Sequence, residues 1–226
     1  MSIIPNSLYE IREENAYRSR YAYASGYTPL PDRKSFVPPA MQERNRQFIE
    51  LNGSKPGIRI SYEGSKRDGA RWPDFLSNGC GYVSFFVSER VIKDLRDFPV
   101  DLLDVTEFPI ESIEDGCPIS LRIEDAPRYY ILEAHPELVP DWTTMNVPTK
   151  PDGSPILTPL PQPWPPMPFI FRKDTWSGRD LVSQVKGTTE IFCSEALKTY
   201  AESKGWTNVR FERIGAHTIR NSSENR

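Results

Sequence analysis

The chain has 226 residues, 38% of them apolar, with 22 prolines, 13 glycines and a formal net charge of −3. That length suits one large domain or two small ones and hides enough surface to fold without disulfides. Aperiodic prolines with few glycines exclude a collagen repeat, and the charge excludes the strong basic balance with which proteins grip a nucleic-acid backbone.

Three cysteines, Cys80, Cys117 and Cys193, are an odd set without C-x-x-C spacing, which argues against a disulfide framework or a zinc knuckle and for a reducing compartment. The opening "MSIIPNSLYEIREENAY" lacks the apolar core of a signal peptide. No apolar run approaches the ~18 residues of a membrane span. A cytoplasmic protein with no nucleic-acid or membrane partner is the expectation.

In chain order, 1–39 is rich in tyrosine, arginine and turn residues and reads as an extended N-terminal arm, with Tyr17, Tyr21, Tyr23 and Tyr27 as a contact surface or as rings packed on the body. The main body is expected over 40–215. Residues 40–51 suit a short helix, and "GIRISYEG" (57–64) alternates as a strand between turns. "YVSFFV" reads as a strand ending at Ser88. Beyond it, Val91, Ile92, Leu95 and Phe98 share one helical face. Ser88 suits an N-cap, its oxygen accepting from a free first-turn amide, and Glu89 suits the helix dipole.

"PISLRI" and "RYYILEAH", joined by "EDAP", read as a hairpin. Residues 140–168 hold ten prolines and read as a long loop or polyproline-like cover, since proline lacks an amide hydrogen and clashes with a preceding helical turn. "FIFR" returns to strand. "TEIFC" follows, then a cap at Ser194, a helix with Leu197, Tyr200 and Ala201 on one face, a stop at Gly205 and the strand "TNVRFERIG". Residues 216–226 read as a disordered tail.

"FFVSERVIKDL" (85–95) and "IFCSEALKTYA" (191–201) echo each other. At a shift of 106 Asp74 meets Asp180, Gly81 meets Gly187, Phe86 meets Phe192, Ser88 meets Ser194 and Glu89 meets Glu195. Trp72 and Trp176 fall two positions out of line. The matches are structural in kind, apolar on apolar and cap on cap. They suit pseudo-repeats at about 72–110 and 176–214, arising by duplication or by the coincidence of two strand–cap–helix units. Two copies are too few for a solenoid. The expected fold is α+β: one domain with a mixed, mostly antiparallel sheet, a few helices and two pseudo-repeated strand–helix–strand lobes.

The strand–"VSE"–helix unit, the "RYYIL" strand and "FCSEALKTYAESKGWTNVRFERI" together resemble the immunity proteins of bacterial polymorphic-toxin systems, nearest to immunity families 43 and 11, over about 80–214. The resemblance implies a small cytoplasmic protein that binds one cognate toxin domain and blocks it, without catalysis and without a cofactor.

Several surfaces are candidates for such contact. Ten carboxylates lie between Asp94 and Asp125, among them Asp101, Asp104, Glu107, Glu111, Glu114 and Asp115, opposed only by Arg96 and Arg122. The stretch reads as a solvated acidic face or as a surface for a basic partner, such as a toxin whose cleft holds phosphates. Trp142 and Trp164 flank the proline-rich segment and suit either interface anchors or pins for the loop. "PLPQPWPP" also suits an SH3-like or WW-like reader, which makes a proline-rich adaptor the alternative. The sequence lacks H-E-x-x-H, G-x-S-x-G and P-loop motifs. A small hydrolase using Cys80 or His135 ranks last.

Overall fold

A computed structural model describes residues 8–13, 21–28, 47, 57–62, 70–76, 85–102, 104–115, 117–118, 120–142, 148–152, 171–184 and 191–214. They form an α+β fold of largely antiparallel sheets with helices at Glu89–Asp97 and Glu195–Lys204. The chain divides into two compact units. One comprises Glu13–Glu133 and Lys204–Arg210, the other Met1–Arg12, Ala134–Ser203 and Phe211–Arg226.

The first unit contains two sheets. A four-stranded sheet has the order β4 (Phe75–Leu76), β5 (Phe85–Ser88), β8 (Tyr129–Glu133), β6 (Asp104–Phe108), and a three-stranded sheet has the order β2 (Tyr23–Thr28), β3 (Gly57–Ser61), β7 (Ile110–Ile113). Alternation puts Phe86 and Ile131 of the larger sheet in one core with Ala24, Ile58 and Ile60 of the smaller. The helix Glu89–Asp97 buries Val91, Ile92 and Leu95 and packs on β5 and β8. Since β5 is covered on both faces, all four of its residues are buried.

The second unit holds a five-stranded sheet of order β12 (Val209–Arg213), β1 (Leu8–Glu13), β11 (Ile191–Ser194), β10 (Leu181–Gln184), β9 (His135–Leu138). Its core gathers Leu8, Leu138, Phe171, Val182 and Phe192, with Phe171 and Phe192 edge to face at 5.1 Å. The helix Glu195–Lys204 buries Leu197 and Ala201. Gly205 then takes a φ of +62°, the left-handed conformation that closes a helix at glycine without steric cost.

The two hairpins at the echoed segments share one register. Phe75 pairs Val87 and Leu76 pairs Phe86; 106 residues later Leu181 pairs Cys193 and Val182 pairs Phe192. Core membership follows the same shift: Leu76, Phe86 and Phe108 lie in one core, and Val182, Phe192 and Ile214 in or against the other. Trp72 and Trp176 flank them likewise.

Several expectations are corrected. Within 1–39 the described residues 8–13 and 21–28 contribute strands β1 and β2 rather than an extended arm: Leu8, Ile11, Ala22 and Ala24 are buried, because these strands fill sheet positions that need apolar inward faces. "PISLRI" is not a strand. Leu121 N–H bonds the Pro118 carbonyl at 2.9 Å, and Asp125 and Ala126 bond the Arg122 and Ile123 carbonyls at 3.2 and 3.1 Å. These local turns use the groups a ladder would need. Strand β8 pairs instead with β5 and β6. Strands β6, β7 and β9 were not expected. Phe98 ends its helix in extended conformation rather than extending the buried face. Of "FIFR", the described Phe171 and Arg172 make isolated bridges rather than a strand, Phe171 to Pro140. Apart from Gln47, the helix expected over 40–51 lies outside the described residues, as do most of 140–168 and the tail.

Nothing lies within 4 Å of the position a Cβ would take on Gly205. The substitution Gly205→Ala is therefore expected to lower stability through backbone conformation alone, by about 1–2 kcal/mol in chemical denaturation.

Candidate functional site

The two serines expected as caps are caps. Ser88 Oγ accepts from Val91 N–H at 3.5 Å and donates to Asp74 Oδ1 at 2.8 Å. Ser194 Oγ accepts from Leu197 N–H at 3.1 Å and donates to Asp180. In both pairs the serine amide also bonds the aspartate carbonyl, at 2.8 and 3.0 Å. Each aspartate thus fixes the point where a strand turns into a helix.

The surroundings of the two aspartates differ. Asp74 is 6% exposed, and its Oδ2 also accepts from Arg90 at 2.9 Å and from Thr207 N–H and Oγ1 at 2.9 and 3.0 Å. Thr207 Oγ1 in turn accepts from the Asp74 amide at 2.8 Å. Nearby, Asn208, itself left-handed at φ +60°, donates to the Phe75 carbonyl at 2.7 Å. Trp206 Nε1 donates to Asp94 at 2.8 Å, with its ring 5.6 Å from that of Phe75. Lys204 stands 3.6 Å from Asp94. Position 196, the counterpart of Arg90, is alanine, and Asp180 is half-buried.

The two first-turn glutamates are also engaged differently. Arg128 donates to Glu89, and Lys93 lies 3.4 Å away. Tyr9 OH donates to Glu195, and Lys198 sits over the Tyr9 ring at 5.0 Å and 3.5 Å from the same carboxylate. The tyrosine hydrogen bond holds the Glu195 carboxyl below its ordinary value and raises the Tyr9 phenol.

Most carboxylates of the 94–125 stretch lie on the surface of the first unit, though several have partners. Asp97, Asp101, Glu107, Glu114, Asp115, Glu124 and Asp125 are exposed and Glu111 is half-buried. Glu107 accepts from Tyr130 OH at 3.4 Å and lies 3.9 Å from Arg128. Glu111 lies 3.5 Å from Arg59. The Ser25 hydroxyl donates to Glu114 and holds its carboxyl below the ordinary range. Strand β6 places Asp104 at the edge of the four-stranded sheet. Asp94 belongs to the Trp206 and Lys204 cluster rather than to a solvated face.

One surface residue was missed. Ile123 is 45% exposed, the one large hydrophobic found so among the described residues, on a short 3-10 turn between exposed Arg122, Glu124 and Asp125 that packs against β7. Read as a strand, it should have faced a core. The signal that places it outward is the "EDAP" that follows, which favours local turns.

Trp142 is half-buried, and Trp164 and Cys80 lie outside the described residues. His135 is half-buried on β9 opposite Val182. Cys193 is fully buried, and burial pushes its thiol far up, so it packs as a small apolar side chain. Among the described residues no group of three or more His, Cys, Asp and Glu side chains is placed to hold a metal ion. The chain matches no protein-family model and no curated protein.

Asp74→Ala leaves Arg90, Thr207 and Ser88 without their shared acceptor and is expected to cost about 3 kcal/mol in denaturant unfolding. Asp180→Ala, at a half-buried site, should cost clearly less. The Glu195 carboxyl is depressed in the folded state, so its contribution is present above the ordinary value of 4.5 and fades as the pH falls below it. Tyr9→Phe should therefore shrink the acid-side loss of thermal stability relative to the parent chain, as read by melting scans from pH 7 downward.

Proposed function

We propose that this chain is an immunity protein, which binds one bacterial toxin domain stoichiometrically and neutralises it without catalysis. The reading grows from the sequence resemblance. The observation that supports it best is a difference in charge between two backbones of matching register.

At the shift of 106, Asp94, Asp97, Asp101, Asp104 and Glu107 correspond to Tyr200, Ser203, Thr207, Arg210 and Arg213. The correspondence carries through to the last strand pairing: Phe108 pairs Tyr129, and Ile214 N–H bonds the carbonyl of Leu8. A strand–helix–strand of this geometry accepts arginine where the first unit has Asp104 and Glu107. The negative charge at Asp104 and Glu107 is therefore not a demand of the fold, and a demand from a partner accounts for it. A basic partner gains association rate and specificity from such a face. Ile123, exposed among the acids, supplies the apolar contact that a tight interface needs at its centre. The supposed partner is a toxin domain with a basic cleft, of the kind that engages phosphates.

The test uses the folded 226-residue chain and a toxin domain, should a neighbouring gene encode one. A one-to-one complex that abolishes toxin activity is expected. Asp104→Arg with Glu107→Arg should leave the unfolding midpoint near that of the parent, while the association rate falls on the order of tenfold and loses part of its salt dependence. Ile123→Glu should raise the dissociation constant by at least about tenfold. Unchanged association in the charge variant removes the acidic face from the proposal. Binding of an SH3-like domain to the isolated 140–168 peptide, without any toxin complex, turns the reading to an adaptor.

A further inference from the structure

Beyond the proposed binding role, the strand pairings carry an inference about how this chain is built. In the first unit the middle strand β5 pairs with β8 in the register Phe85–Leu132, Phe86–Ile131, Val87–Tyr130 and Ser88–Tyr129. In the second unit β11 pairs with β1 in the register Ile191–Ile11, Phe192–Glu10, Cys193–Tyr9 and Ser194–Leu8. Both pairings are antiparallel, and both begin at the capping serine. On the far side of β8 lies β6, and on the far side of β1 lies β12.

The outer pairings agree as well. Phe108 pairs Tyr129, and the Ile214 amide donates to the Leu8 carbonyl at 3.1 Å. Phe108 and Ile214 are again 106 apart, and Tyr129 and Leu8 are the residues opposite the two serines. The orders β4–β5–β8–β6 and β10–β11–β1–β12 thus coincide strand for strand, with a capped helix joining the second strand of each to the fourth. Tyr129 and Leu8 each lie fully buried in the core of their own unit. A chance likeness of two strand–cap–helix units explains the hairpin and the cap. It does not explain why a further strand, from another part of the chain, enters at the same register.

We infer that the chain holds one four-stranded unit twice, and that β1 is the transposed counterpart of β8. In the first copy this third strand follows β6 in the chain; in the second it precedes every other described element. A single circular rearrangement of a tandem pair relates the two orders. The N-terminal strand is thereby an inner strand of the second sheet, without which β11 and β12 have no common neighbour.

A circular permutant tests this. Residue 226 is joined to residue 1 and the chain is opened between Glu14 and Asn15, so that β1 follows β12. Residues 215–226 and 1–7 then span Ile214 to Leu8, 19 residues against the 20 of 109–128 that span Phe108 to Tyr129. Hydrogen exchange followed by mass spectrometry should show β11 and β12 as protected as in the parent chain, with the parent's unfolding behaviour and midpoint retained. Loss of protection in β11 and β12 while β5 and β8 keep theirs overturns the inference. A second variant lacks residues 1–14. It should lose protection in β11 and β12 and regain it when a peptide of residues 1–14 is added. Protection that survives the deletion, or that the peptide fails to restore, also overturns it, whatever the yield of the permutant.

Discussion

The Asp74 carboxylate is the contact on which much of the first unit depends. A buried charge is tolerable only when its oxygens are taken up by donors. Here one oxygen serves the Ser88 hydroxyl and the other serves Arg90 and both donors of Thr207. Through Ser88 it sets the start of a helix whose Val91, Ile92 and Leu95 are core. Through Thr207 it holds the segment Lys204–Arg210, which arrives from far along the chain and belongs to the same compact unit. Arg90 completes the junction by donating to the carbonyls of Lys204 and Gly205, the last of these at 3.3 Å. The Asp180 site keeps the serine and the helix start but has alanine where Arg90 would stand. The strand-to-helix turn therefore needs only the aspartate and the serine, and the larger network has a separate task, the docking of 204–208.

That division between scaffold and surface recurs. Inward positions at the shift of 106 stay apolar: Phe86 with Phe192, Leu76 with Val182, Phe108 with Ile214. Exposed positions diverge, as at Glu107 against Arg213. Packing density constrains the first group, because a change of even one methylene in a core is felt. Solvent constrains the second hardly at all. The stretch 94–125 carries ten carboxylates against two arginines, and on the proposed reading its exposed members are the face a partner meets. The supposed immunity role asks no more of the molecule than this: a firm backbone and a shaped, charged face.

The features legible in advance were those that depend on a few neighbouring residues. The caps at Ser88 and Ser194, the helical faces, the glycine stop at 205 and the burial of Cys193 all follow from interactions within a turn or two. The acidic stretch was legible as charge, but charge obscured its conformation. The β-branched Val105, Thr106, Ile110 and Ile113 that form β6 and β7 lay among carboxylates and a proline, and no clean alternation set them apart. Alternation misled in the opposite direction at "PISLRI", where consecutive i to i+3 bonds satisfied the backbone first.

By itself the sequence determined the echo, the apolar and polar positions within it and the sign of each surface, because these are properties of local spacing and composition. Only the tertiary structure decided which strand would stand third in each sheet. "LYEI" and "YYIL" are each compatible with many neighbours, and choosing among them depends on backbone pairing and burial across more than 180 residues for Leu8 with Ser194. No local pattern encodes such a pairing. It arises when the core closes and the register brings Leu8 and Phe192 into one cluster.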